Sequence, residues 1–107
     1  MRHLYLITSL ICATLAPPAL SQTKGDAQAG KDVFEQCAVC HNADSTVKKI
    51  GPGLKGLYKQ KKLSDGKAVN DANVTIKLNE GGKGMPPYKD ILSDEERANL
   101  IAYLKTL

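Results

Sequence analysis

The chain has no tryptophan and a single phenylalanine in 107 residues, so the large aromatic core of an ordinary enzyme domain is missing. A chain this short holds one small domain and excludes a two-domain architecture. Cysteine is scarce. Three residues, of which only Cys37 and Cys40 stand close together, cannot build the multi-bridge framework that staples many small secreted domains. No apolar run reaches the roughly 20 residues of a bilayer-spanning helix. The longest, Leu4 to Ala16, has 13 residues and is interrupted by Thr8, Ser9 and Thr14. Excess positive charge is modest, 15 Lys+Arg against 11 Asp+Glu, and it is not interleaved with aromatics, which argues against a nucleic-acid binder. Internal repeats are absent.

What stands at the N-terminus is a short cationic start (Arg2, His3), the apolar run, then Pro17-Pro18 and a small-residue ending at Ala19-Leu20-Ser21. That order predicts a secretory signal peptide over residues 1–21 and a periplasmic destination, with no stable membrane insertion after cleavage. The alternative is a leader retained as an anchor. Cys12 lies inside the leader and lacks the small preceding residue of a lipid-modified cysteine. Cleavage after Ser21 leaves residues 22–107, a mature chain of 86 residues with net charge +3 once Arg2 is lost. Its aromatics are then Phe34, Tyr58, Tyr88 and Tyr103. At roughly 25 cal/mol per Å², so small a buried apolar area barely exceeds the chain entropy, and the fold needs a staple or a filled centre.

Two helices are read from caps and periodicity. Asp26 can cap a helix from Ala27 to about Cys40, along which Gly30, Val33, Phe34, Cys37 and His41 follow one helical face. Ser93 with Glu96 three residues on makes a capping box, followed by the apolar stripe Leu100, Ile101, Leu104 and Leu107. Gly30 inside the first helix costs about 1 kcal/mol against Ala, which suggests a close helix crossing there. Between them, Gly51-Pro52-Gly53 breaks regular structure, Leu54 to Tyr58 can form a short helix, and Asp65-Gly66 predicts a tight turn between Lys61-Lys62-Leu63 and Lys67-Ala68-Val69. Residues Val74 to Leu78 alternate like a strand, yet Asp71 before and Gly81-Gly82 after are helix signals.

Chemistry concentrates in Cys37-Ala38-Val39-Cys40-His41, the C-x-x-C-H pattern of covalent c-type haem attachment. Two thiols about one helical turn apart can add to the two vinyl groups of one porphyrin, and the next residue then brings an imidazole to the iron. A redox C-x-x-C pair is expected in a thioredoxin-like βαβ setting, and structural zinc needs a second ligand pair. Neither context is present. The iron's second ligand follows from inventory. With Met1 and His3 in the leader, the mature chain holds one His, His41, and one Met, Met85, 44 residues apart. The Gly-rich then Pro-rich segment 81–87 can carry the Met85 thioether back across a haem, where a soft sulfur favours ferrous iron. Filling a core gap is the alternative role for a methionine.

The sequence resembles the class I cytochrome c family, and its short bacterial monohaem members in particular. Besides Cys37 to His41, the matching pieces are Gly30 with Phe34, Gly51-Pro52-Gly53-Leu54, Gly84-Met85-Pro86, and the last helix with Tyr103 and Leu104. The resemblance implies an all-α class I cytochrome c fold over residues 22–107, a few helices wrapped around one covalent haem c. It also makes the Val74 region a helix, brings Gly30 and Phe34 against Tyr103, and gives the Pro52 carbonyl the outer nitrogen of His41. Expected site residues are therefore Cys37, Cys40, His41, Met85 and Pro52, with His41 and Met85 as the metal ligands. The stretch from Lys59 to Asn70 matches no family pattern.

The expected function is a soluble single-electron carrier between extracytoplasmic redox proteins, a monomer and not an enzyme. The alternatives are a haem subunit of a dehydrogenase complex, or a peroxidase or gas sensor with a labile Met85. Lys48, Lys49, Lys55, Lys83 and Lys89 flank the expected haem edge and suit partners with acidic docking surfaces. Tyr58 and Tyr88 are expected to pack in the haem pocket.

Overall fold

A computed structural model describes Ala13, Thr14 and residues 25–107. The expected signal peptide, with Cys12, lies outside the described residues apart from Ala13 and Thr14. The architecture is all-α: among the described residues α1 spans Ala27–Phe34, α2 Asp71–Glu80 and α3 Asp94–Leu104, with a 3-10 turn at Leu57–Lys59. That turn lies at the end of the expected Leu54 to Tyr58 helix. Among the described residues β-structure amounts to two isolated bridges.

Asp26 caps α1 as expected, its carboxylate accepting from the Gln28 amide at 2.9 Å. The helix ends at Phe34 instead of about Cys40. Its last carbonyl is taken by both the Cys37 amide (2.7 Å) and the Ala38 amide (3.0 Å), so the backbone tightens into successive turns before reaching His41. The Val74 segment is helical, and its cap is Asn70, not Asp71: the Asn70 side chain accepts from the Asn73 amide at 2.8 Å. At the head of α3 the capping box closes in both directions, Glu96 amide to Ser93 Oγ at 3.1 Å and Ser93 amide to Glu96 Oε1 at 3.0 Å.

α1 and α3 form the main helix pair. They cross so closely at Gly30 that a Cβ there would overlap the Asn99 carbonyl, which is why that position has no side chain. One turn along, the Phe34 and Tyr103 rings meet at 5.4 Å and 56°. Phe34, Leu57, Val74, Leu78, Leu100 and Leu104 form the centre of the core.

Two buried polar residues of α3 escaped the sequence reading. Asn99 accepts the Asp26 amide at 2.7 Å, tying α3 to the start of α1. Arg97 donates through Nη2 to the carbonyls of Lys89 (3.1 Å) and Leu92 (3.0 Å), and through Nη1 to the exposed Asp94 (2.8 Å). Its position was readable, because 97 precedes 100, 101 and 104 at helical spacing on the apolar stripe.

The Asp65-Gly66 turn is present. Leu63 donates to the Lys67 carbonyl at 2.7 Å, Val69 to the Lys61 carbonyl at 3.1 Å, and Gly66 has φ 84°.

Candidate functional site

A cavity of about 300 Å³ opens between the core and the loops. Its walls are largely apolar, supplied by residues such as Phe34, Leu57, Val74, Leu78, Leu100 and Leu104. All five expected site residues, Cys37, Cys40, His41, Pro52 and Met85, line this one cavity.

Each is placed by local backbone. The turns after α1 present Cys37, Cys40 and His41 in sequence, with the His41 amide on the Cys37 carbonyl at 2.9 Å. The 51–54 segment is strapped beside them: Gly51 donates to the Cys40 carbonyl and Leu54 to the Asn42 carbonyl, both at 2.7 Å. The strap brings the Pro52 carbonyl oxygen to 2.7 Å from His41 Nδ1. It also lays Gly51 against the imidazole, where a Cβ would come within 2.5 Å of Cε1 and 2.9 Å of Nδ1. Met85 is half-buried at the end of a tight turn in which Gly82 and Met85 exchange backbone hydrogen bonds of 2.9 and 3.1 Å. Gly82, Lys83 and Gly84 all have positive φ in this turn.

The chemistry of the donor set separates the readings. Cys37 and Cys40 are free thiols. Burial, and secondarily the neighbouring Cys40, raises the Cys37 pKa, so this thiol is protonated rather than a thiolate primed for disulfide exchange. Among the described residues no three His, Cys, Asp or Glu side chains are grouped to hold a metal ion. Two unbridged thiols, an imidazole and a thioether around an apolar cavity do fit a haem. Tyr88 lines the cavity as expected, and its pKa is raised by burial first and the nearby thiols second. Tyr58 does not line it. Its hydroxyl donates to Asp71 at 2.9 Å, linking the 3-10 turn to the head of α2.

A small all-helical protein whose C-x-x-C-H segment and Met85 share one apolar cavity is a c-type haem protein. The chain belongs to the cytochrome c family, whose model, described as "Cytochrome c", matches residues 27–107. It is 31% identical over 105 residues to cytochrome c of Tetrahymena pyriformis, covering 84% of this chain and 96% of that one. It is 39% identical over 75 residues to cytochrome c2 of Blastochloris viridis, covering 68% of this chain and 56% of the relative. Among solved structures, cytochrome c6 of the diatom Phaeodactylum tricornutum superimposes with a TM-score of 0.61 at 28% identity, over 77% of this chain and 93% of that one. The chain is accordingly a haem-based electron-transfer protein with a covalently bound c-type haem, and not an enzyme. No helix among the described residues is long and apolar enough to cross a membrane.

Proposed function

We propose that the protein carries single electrons between redox proteins outside the cytoplasm, on one haem c held by Cys37 and Cys40 with His41 and Met85 as axial ligands. The observation that carries this reading is the contact of His41 Nδ1 with the Pro52 carbonyl. A carbonyl only accepts, so the ring proton sits on Nδ1 and the Nε2 lone pair is left for iron. Cys37 and Cys40, both free thiols, would hold the haem through one thioether each, formed by adding S–H across a vinyl group without an oxidant. When bound, the haem supplies a one-electron couple. Met85 adds a soft ligand that favours the reduced state. With His41 and Met85 both engaged, no coordination position is open to a substrate, which suits a carrier.

Residues 1–21 direct export and are removed, leaving residues 22–107 as a monomer in the periplasm. Lys48, Lys49, Lys55, Lys83 and Lys89 meet acidic surfaces on the partners. The Lys49 ammonium donates to the Ala38 carbonyl at 2.8 Å, which holds its charge on the C-x-x-C-H turn. The test is the intact mass of the exported protein after extraction with acidified organic solvent. The expected mass is residues 22–107 plus one haem; haem lost to the solvent contradicts the thioether assignment.

A further inference from the structure

Residues 59–70 form one wall of the cavity: Gln60, Leu63, Ser64 and Asp65 all line it. Asp65 faces Lys77 of α2, which lines the cavity too, with a carboxylate to ammonium distance of 3.9 Å and side chains 23 and 27% exposed respectively. The same ammonium lies next to the Met85 turn, since a Cβ placed on Gly82 would stand 3.8 Å from it. Lys77 Nζ thus sits where three cavity-lining segments converge. A separation of 3.9 Å is an ion pair beyond hydrogen-bond reach, so Asp65 does not saturate the three N–H donors. A half-buried lysine on a largely apolar wall, with donors left over from Asp65, can take a further anion.

A haem brings such anions, its two propionate carboxylates. We propose that Lys77 is the ion-pair partner of a haem carboxylate, with Gln60 and Ser64 as neutral donors beside it, and that this pair raises the reduction potential. This rests on the haem reading above. A bare carboxylate near the iron stabilises the more positive, oxidised state; pairing it with Lys77 cancels that field and favours the reduced state. Asp65 acts in the opposite sense, competing for Lys77 and adding a negative charge to the same wall. Of the other ionisable groups on the wall, Lys83 is exposed, Tyr88 is held neutral by its raised pKa, the thiols are consumed by attachment and His41 is taken by Pro52 and iron.

The experiment is a redox titration at neutral pH of the purified holoprotein, wild type against Lys77→Gln, Lys77→Arg, Asp65→Asn and Lys67→Gln, the last altering an exposed lysine of the same hairpin. Lys77→Gln is expected to lower the midpoint potential, Lys77→Arg to hold it near wild type, Asp65→Asn to raise it and Lys67→Gln to leave it unchanged. A Lys77→Gln potential equal to wild type, or an Asp65→Asn potential that falls or stays put, overturns the proposal. If Lys77→Gln fails to mature, the direction of the Asp65→Asn shift decides. Haem mass and the far-red absorption band of sulfur-ligated ferric iron are read on the same samples. Samples that have both but unshifted potentials refute the role of Lys77 alone, whereas a wild type lacking either refutes the haem reading.

Discussion

Gly30 and Asn99 are in backbone contact across the α1–α3 crossing, with no space between them for a methyl group. The obstacle is a carbonyl, not the flexible end of a side chain, so relief requires moving a helix. Gly30→Ala is therefore expected to cost about 1–3 kcal/mol despite the better helix propensity of alanine. Chemical denaturation checks this, with a lower midpoint at unchanged slope as the expected result; an unchanged or higher midpoint means the helices can part freely.

Arg97 ties down the segment that follows Met85. Its guanidinium satisfies the Lys89 and Leu92 carbonyls from within the buried face of α3. Arg97→Leu strands those acceptors, at about 1–3 kcal/mol for a buried group left unpaired. Stability should drop by that order, and the amides of Ile91 and Leu92, both bonded to the Tyr88 carbonyl, should exchange faster with solvent than those of α2. Uniform acceleration across the chain would show that Arg97 contributes only to global stability.

Tyr58, Asp71 and Lys105 join the 3-10 turn, α2 and the C-terminal end of α3. Lys105 donates to Asp71 at 2.8 Å, and with Tyr58 on the other oxygen it holds the Asp71 carboxyl below its usual pKa, the Lys105 bond being the larger cause. A lowered folded-state pKa gives stability that is present above the unfolded value, roughly 3.9, and is lost as pH falls through the folded one. The pair is half exposed, so the contribution should be about 0.2–1 kcal/mol. Asp71→Asn should be less stable than wild type by that much at pH 7, with the gap closing in strong acid. A gap that persists unchanged in acid would assign the loss to packing.

The site was legible in the sequence to the extent that its chemistry is written in rare residues. One close cysteine pair, one histidine after it and one remaining methionine leave few ways to ligate a haem, and the structure brings these residues to one cavity. The last helix was legible because its cap is made by side chains, Ser93 and Glu96, within one turn. The end of α1 was misread because the turns from Glu35 to Cys40 keep a near-helical phase, and hydrophobic spacing does not register a carbonyl shared by two amides. Tyr58 was misread for a different reason: its partner is Asp71, an acid on another element, a contact that no local pattern encodes. The carbonyls that Arg97 satisfies, Lys89 and Leu92, are backbone groups that no side-chain pattern marks.

Met85 is proposed to close the iron's coordination sphere. The ferric spectrum of wild type and Met85→Ala near neutral pH, before and after adding cyanide, tests it most directly. The expected result is a far-red sulfur-to-iron band and slow cyanide binding in wild type, with the band lost, cyanide binding fast and the reduction potential lowered in the variant. A wild type that lacks the band, binds cyanide at once and turns over peroxide, with Met85→Ala changing none of these, would contradict the closed carrier.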